Sequence, residues 1–167
     1  MNRIKITPRM RSLLITAAKL AQKKAYCPYS RYPVGASVLT DSGRIFSGAN
    51  VENASYGLSL CAERVAVFNA VSKGAKGLQA VCVVGKSARP CGACRQVMLE
   101  FSSKDTLLFL VDLDGNARKE SVTVTKVVAL LPKAFDPLDS GLLPPNPQNL
   151  LRGKIRKHSK PSKRRKS

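Results

Sequence analysis

Leu13, Leu14, Ala17, Ala18, Leu20 and Ala21 recur at helical spacing. Thr7 can cap such a helix and Pro8 suits its first position, so a helix is predicted over residues 8–24. Residues 26–30 read as a loop. Two strands follow at 35–40 and 44–49, joined by a hairpin turn at Asp41-Ser42-Gly43. After an irregular Asn-, Ser- and Gly-rich connection, a second helix is predicted over 60–72, stopped by Lys73-Gly74. The apolar run at 80–84 predicts a buried strand over 78–84, with a helix at 92–101 and another strand at 107–112. Asp114-Gly115-Asn116 turns the chain into a strand at 121–125, and 127–131 forms a short helical turn before Pro132. This order predicts an α/β fold, a three-layer α/β/α sandwich with a mixed sheet.

Composition narrows the class. A chain of 167 residues, 44% of them apolar, suits one domain. No stretch approaches the roughly 18 apolar residues of a membrane span, and the apolar segment 13–21 is broken by Lys19, so neither a span nor a secretory leader is expected. The formal charge of +19 is uneven: residues 152–167 hold nine Lys/Arg and no acid, and residues 1–31 hold eight with no acid. Between them the charges nearly balance. A folded domain is therefore expected over 1–140, with Pro144, Pro145 and Pro147 in a linker and a disordered basic tail within 141–167. That tail could be a nuclear-import signal, a contact for RNA or another anionic surface, or a passive solvated end.

Five cysteines, an odd number, argue against a disulfide framework and for a reducing, cytoplasmic setting. Cys82 lies in an apolar run and Cys27 precedes a proline; both read as packing. The single histidine, His158, lies in the basic tail. A Ser-His-Asp or Cys-His engine is thereby excluded, and a general base must be Glu or Asp.

Cys61-Ala62-Glu63 and Pro90-Cys91-Gly92-Ala93-Cys94 then carry the chemistry. Three thiolates supply all but one of zinc's usual four ligands, and an open fourth position separates catalytic from structural zinc. Both groups fall at predicted helix starts, where the dipole stabilises thiolates. Glu63 lies about 200° around the helix from Cys61, beside the open position rather than in it, where it could move protons to and from water. Three thiolates leave a net charge near −1 on the site. Arg64 and Arg95 are candidates to offset it, with surface ion pairs as their simpler reading.

The chain resembles the small, three-cysteine, homotetrameric cytidine deaminases. Ala25-Tyr26-Cys27-Pro28-Tyr29-Ser30, Pro33-Val34-Gly35-Ala36, Gly48 to Tyr56 and Cys91-Gly92-Ala93-Cys94-Arg95-Gln96 resemble blocks of that family, over roughly residues 8–138. The resemblance implies zinc on Cys61, Cys91 and Cys94, and Glu63 as acid/base in converting cytidine and deoxycytidine to uridine and deoxyuridine during pyrimidine salvage. It implies ribose recognition by Asn50 and Glu52, whose simpler reading is turn and cap chemistry. The Ala62 backbone is expected to hold the pyrimidine. Tyr56 is expected from a neighbouring subunit of a homotetramer with shared sites, and Phe135 to cover the base. Tyr32 stands on a wall near the nucleoside where the family usually has phenylalanine, and Asp136 replaces a usual glycine. Two other functions fit the basic ends: editing of cytidine within a polynucleotide, and non-catalytic nucleic-acid binding around a structural zinc. Nine aromatics, several already inside family blocks, offer little stacking surface for the first.

Overall fold

Thr7 Oγ1 accepts a hydrogen bond from the Met10 N–H at 3.2 Å and Pro8 follows at once. These two residues start helix α1, Pro8–Gln22, as predicted. In this computed structural model, residues 5–113 and 120–135 are described. The predicted turn at 114–116, the domain end at 140 and the linker and tail within 141–167 lie outside them.

Strands β1 (Gly35–Thr40) and β2 (Ile45–Ala49) form the expected hairpin. Helix α2 (Ala62–Ser72), strand β3 (Leu78–Gly85), helix α3 (Gly92–Glu100), strand β4 (Ser102–Leu113) and strand β5 (Glu120–Lys126) complete the main elements. A short 3₁₀ turn, Val127–Leu130, follows β5. The sheet order is β2-β1-β3-β4-β5. Only β3 and β4 pair in parallel, and α3 is their crossover. The sheet is mixed, as expected.

Both faces of the central strands are covered, which is why residues 80–84 of β3 read as a continuous apolar run; in β1 the buried Ser37 is accommodated by donating its hydroxyl to the Leu14 carbonyl at 2.7 Å. Ala36, Val38, Val81, Val83, Leu108 and Leu110 pack with Ala66, Val67 and Met98 of α2 and α3. Leu39, Ala80, Cys82, Val84, Phe109 and Val111 meet Leu14 and Ala18 of α1 on the other side. The result is three layers. Helix α2 approaches β2 so closely that a Cβ at Gly48 would lie 2.6 Å from the Ala66 nitrogen. Glycine there sets the depth of the helix that carries Cys61 and Glu63.

Strand β4 begins five residues before its predicted start. Its first residues are polar, so no apolar pattern marks them. They pair through side chains instead: Thr106 Oγ1 donates to the Leu78 carbonyl at 2.7 Å and accepts from the Ser103 N–H at 2.9 Å. Among the described residues, no helix is long and apolar enough to cross a membrane.

Candidate metal centre and catalytic carboxylate

Cys61 is the N-cap of α2 and Cys91 the N-cap of α3, with Cys94 in the first turn behind it. The two helix starts converge at one end of the sheet. Cys61 Sγ lies 3.8 Å from Cys91 Sγ, and Cys91 Sγ lies 3.5 Å from Cys94 Sγ. All three sulfurs fall within 4.8 Å of one another. Zinc–thiolate bonds of about 2.3 Å in tetrahedral array require sulfurs roughly 3.8 Å apart. The donor set therefore fits a single zinc ion, and no fourth Cys, His, Asp or Glu joins the cluster among the described residues.

Electrostatics favour a cation there. The Cys61 thiol is pulled down to about 5, chiefly by a hydrogen bond from Cys94 and further by Arg64, against the opposing effect of burial. Cys94 is pushed up, first because its proton is held by Cys61 and then by burial. Arg64 Nη2 donates to the Ser59 carbonyl at 2.9 Å and lies 4.0 Å from Cys61 Sγ. Arg95 does something else: its Nε donates to Pro90 O at 2.9 Å and its Nη1 to Leu130 O at 3.0 Å. It braces the start of α3 against the 3₁₀ turn, while Arg64 faces the sulfurs.

Glu63, in the first turn of α2, is only 4% exposed. Burial raises its carboxyl to about 7, with the Cys61 charge adding to the rise; its own backbone N–H and a hydrogen bond with Cys94 oppose it. Its interactions with both Cys61 and Cys94 put the carboxyl beside the sulfur cluster. A buried carboxyl poised near neutrality can both accept and return a proton.

The remaining predicted residues are held by contacts of their own. Asn50 is buried; its Nδ2 donates to Tyr32 O and its Oδ1 accepts from the Val34 N–H, both at 2.9 Å. Glu52 accepts from the N–H groups of Tyr29 at 2.9 Å and Ser30 at 3.2 Å, and from the Ser30 hydroxyl. These bonds hold its carboxyl below the usual carboxylate range, the Ser30 hydroxyl most of all. Both side chains therefore pin the segment 29–34. Tyr32 donates its hydroxyl to the Lys86 carbonyl. Ala62 is fully buried at the first turn of α2. Tyr56 is 74% exposed and meets Tyr29 edge-on with ring centroids 5.8 Å apart. Phe135 is 60% exposed, and its carbonyl accepts from Gln96 Nε2 at 3.0 Å. Cys82 is a core thiol, pushed up to about 12 by burial.

Sequence reasoning missed Ser30, the partner of Glu52, and Asp112, which accepts the Ser87 N–H at 2.7 Å. Neither sits in a motif of its own. Asp112 reaches the loop after β3 only because β4 runs parallel to β3 and pairs it with Gly85.

The comparisons with known proteins agree with this geometry. The family model described as the cytidine and deoxycytidylate deaminase zinc-binding region matches residues 8–110. A cytidine deaminase of Halalkalibacterium halodurans is 48% identical over 128 residues, covering 75% of this chain and 93% of that protein. One of Sporosarcina psychrophila is 44% identical, covering 75% and 91%. The crystal structure of cytidine deaminase from Burkholderia pseudomallei superposes with a TM-score of 0.68 at 46% identity, covering 74% of this chain and 98% of that one. The Mycobacterium tuberculosis enzyme gives 0.64 at 40% identity, covering 75% and 97%. With its three sulfurs gathered at two helix starts and a buried carboxyl beside them, this chain belongs to the cytidine and deoxycytidylate deaminase zinc-binding family.

Proposed function

We propose that this protein is a zinc-dependent hydrolase that deaminates free cytidine and deoxycytidine to uridine and deoxyuridine, as a step of pyrimidine salvage. The observation that carries the reading is the buried Glu63 carboxyl beside three sulfurs spaced for one zinc. Cys61, Cys91 and Cys94 hold the ion, which when bound supplies the Lewis acidity that makes water nucleophilic near neutral pH. Glu63 takes a proton from the attacking water and passes it to the pyrimidine ring nitrogen. It then returns a second proton to the departing amine, so that one water is consumed and one ammonia released. Arg64 offsets the anionic charge at Cys61.

Asn50 and Glu52 recognise the ribose hydroxyls. Each keeps capacity for this beyond its internal bonds: Asn50 has a second N–H, and Glu52 keeps one acceptor site on Oε1. The Ala62 backbone helps to hold the pyrimidine, and the Tyr32 ring forms part of the wall. Exposed Tyr56 and Phe135 support a homotetramer with shared sites, in which Tyr56 serves a neighbouring subunit and Phe135 closes over the base. Such an enzyme works in the cytoplasm on small nucleosides; catalysis needs no nucleic acid.

The test is turnover by zinc-quantified protein on cytidine, deoxycytidine, single-stranded RNA and single-stranded DNA. Loss of the cytidine absorbance with free nucleosides, and none with the polymers, is the expected result. Folded, metal-loaded protein that converts neither nucleoside refutes the reading, and conversion of polymers alone makes the protein an editing enzyme.

A further inference from the structure

The peptide group between Lys86 and Ser87 is held at both of its polar atoms. Its carbonyl oxygen accepts the Tyr32 hydroxyl's hydrogen bond, and its N–H donates to Asp112 Oδ1 at 2.7 Å. Ser87 then takes φ of 51°, a left-handed conformation that a residue with a Cβ keeps only when its surroundings fix it. Cys91 follows four residues later. The intervening loop has little slack. Ala88 is 1% exposed in the core, and Arg95 Nε holds the Pro90 carbonyl at 2.9 Å.

Tyr32 is itself anchored. Its carbonyl accepts from Asn50 Nδ2 at 2.9 Å and its N–H donates to Ser30 Oγ at 3.1 Å. Residues 33 and 34 also pack against the base of the same loop: a Cβ at Gly85 would meet Val34 Cγ2 at 3.4 Å and Pro33 O at 3.6 Å, ordinary contact distances. Bonds thus run from the Asn50 amide through Tyr32 to the loop that presents Cys91.

We infer that the Tyr32 hydroxyl is a positioning group that, together with Asp112, fixes the Lys86–Ser87 peptide and so sets the loop that delivers Cys91 to the metal. The inference rests on the zinc-enzyme reading above. Phenylalanine, which usually stands at this place in the family, supplies the ring but cannot donate; the hydroxyl is this chain's own addition. Burial first, then the charges of Asp112 and Glu63, raise the phenol's pKa, so the hydroxyl keeps its proton and remains a donor. Its bond to Lys86 turns it to the loop and leaves the ring as the wall.

The test measures zinc release from the full-length, zinc-loaded protein to an excess of chromophoric chelator, beside cytidine kinetics, for Tyr32→Phe, Asp112→Ala and Asp112→Asn. Losing one hydrogen bond at the loop should speed release about 3- to 10-fold in Tyr32→Phe and in Asp112→Ala. Asp112→Asn keeps the accepting oxygen and should stay within about twofold of wild type. Because both groups hold one peptide, the double variant Y32F/D112A should show less than the product of the single effects. In Tyr32→Phe, kcat should fall while KM for cytidine stays within about twofold, since the lost contact bears on the metal loop and not on binding. Release at the wild-type rate in Tyr32→Phe overturns the inference, as does a raised KM with unchanged release, which would make the hydroxyl a nucleoside contact. Wild type that holds no zinc, or holds it without turnover, overturns the enzyme reading as well; the two failures are separable.

Discussion

Gly48→Ala tests whether the close seating of α2 on β2 places the catalytic groups. A Cβ at Gly48 would lie 2.6 Å from the Ala66 nitrogen and 2.7 Å from Val65 Cγ1. Ordinary contact begins at 3.4 Å, so the helix must withdraw by about 0.8 Å. The nearest atom is helix backbone, which cannot rotate aside, so α2 must move as a body. Overpacking of this kind costs about 1–3 kcal/mol. Catalytic constellations tolerate roughly 0.5 Å of displacement, and a shift near 1 Å can cost up to about 100-fold in rate. Cys61 and Glu63 ride on that helix. Urea unfolding at fixed protein concentration and cytidine turnover at full zinc occupancy read both effects. Gly85→Ala is the graded control: its Cβ meets nothing closer than 3.4 Å and should cost under about 0.5 kcal/mol. If Gly48→Ala matches the control in both stability and turnover, the close approach does not position the site.

Arg64→Gln removes the cation 4.0 Å from Cys61 Sγ. It should weaken zinc about 10- to 100-fold in chelator competition; unchanged affinity refutes charge compensation. Glu52 has a folded pKa below its ordinary 4.5, so the native state binds fewer protons than the unfolded chain in that range. Its contribution is full above 4.5 and is lost as pH falls through the lowered value. The stability margin of wild type over Glu52→Gln should therefore be present at about pH 6 and vanish in strong acid; an equal margin at both counts against the Ser30 and Tyr29 contacts as its source. Deletion of residues 152–167 should leave cytidine turnover within about twofold, because catalysis is assigned to groups elsewhere. A large loss would tie the tail to the site.

Much of this molecule was legible along the chain because its signals are local. Thr7-Pro8 caps α1, the Asp41-Ser42-Gly43 turn marks the β1–β2 hairpin, an apolar run marks β3, and Lys73-Gly74 ends α2. Cys61, Glu63, Cys91 and Cys94 announce one site through spacing, since helix starts fix where such side chains point. Other features depend on contacts far apart in sequence. The early start of β4 rests on the Thr106 hydroxyl, which bonds the Leu78 carbonyl and the Ser103 N–H and leaves no hydrophobic pattern. Arg64 and Arg95 occupy equivalent places after their motifs. Their roles diverge only because Leu130, 35 residues on, draws Arg95 away. Asn50 and Glu52 stood out as ribose ligands by resemblance, while their bonds to residues 29–34 emerge only once that segment folds beside them.

Glu63→Gln offers the most direct test of the proposed chemistry, because it keeps the shape of the side chain and removes only its proton transfer. Zinc per chain and cytidine turnover should be measured on the same samples. One zinc per chain in both proteins, with kcat lowered about 10²- to 10⁴-fold in the variant, is the predicted result. Full zinc occupancy with turnover within about tenfold of wild type would contradict it, because the buried carboxyl beside the three sulfurs would then not be the group that moves the protons.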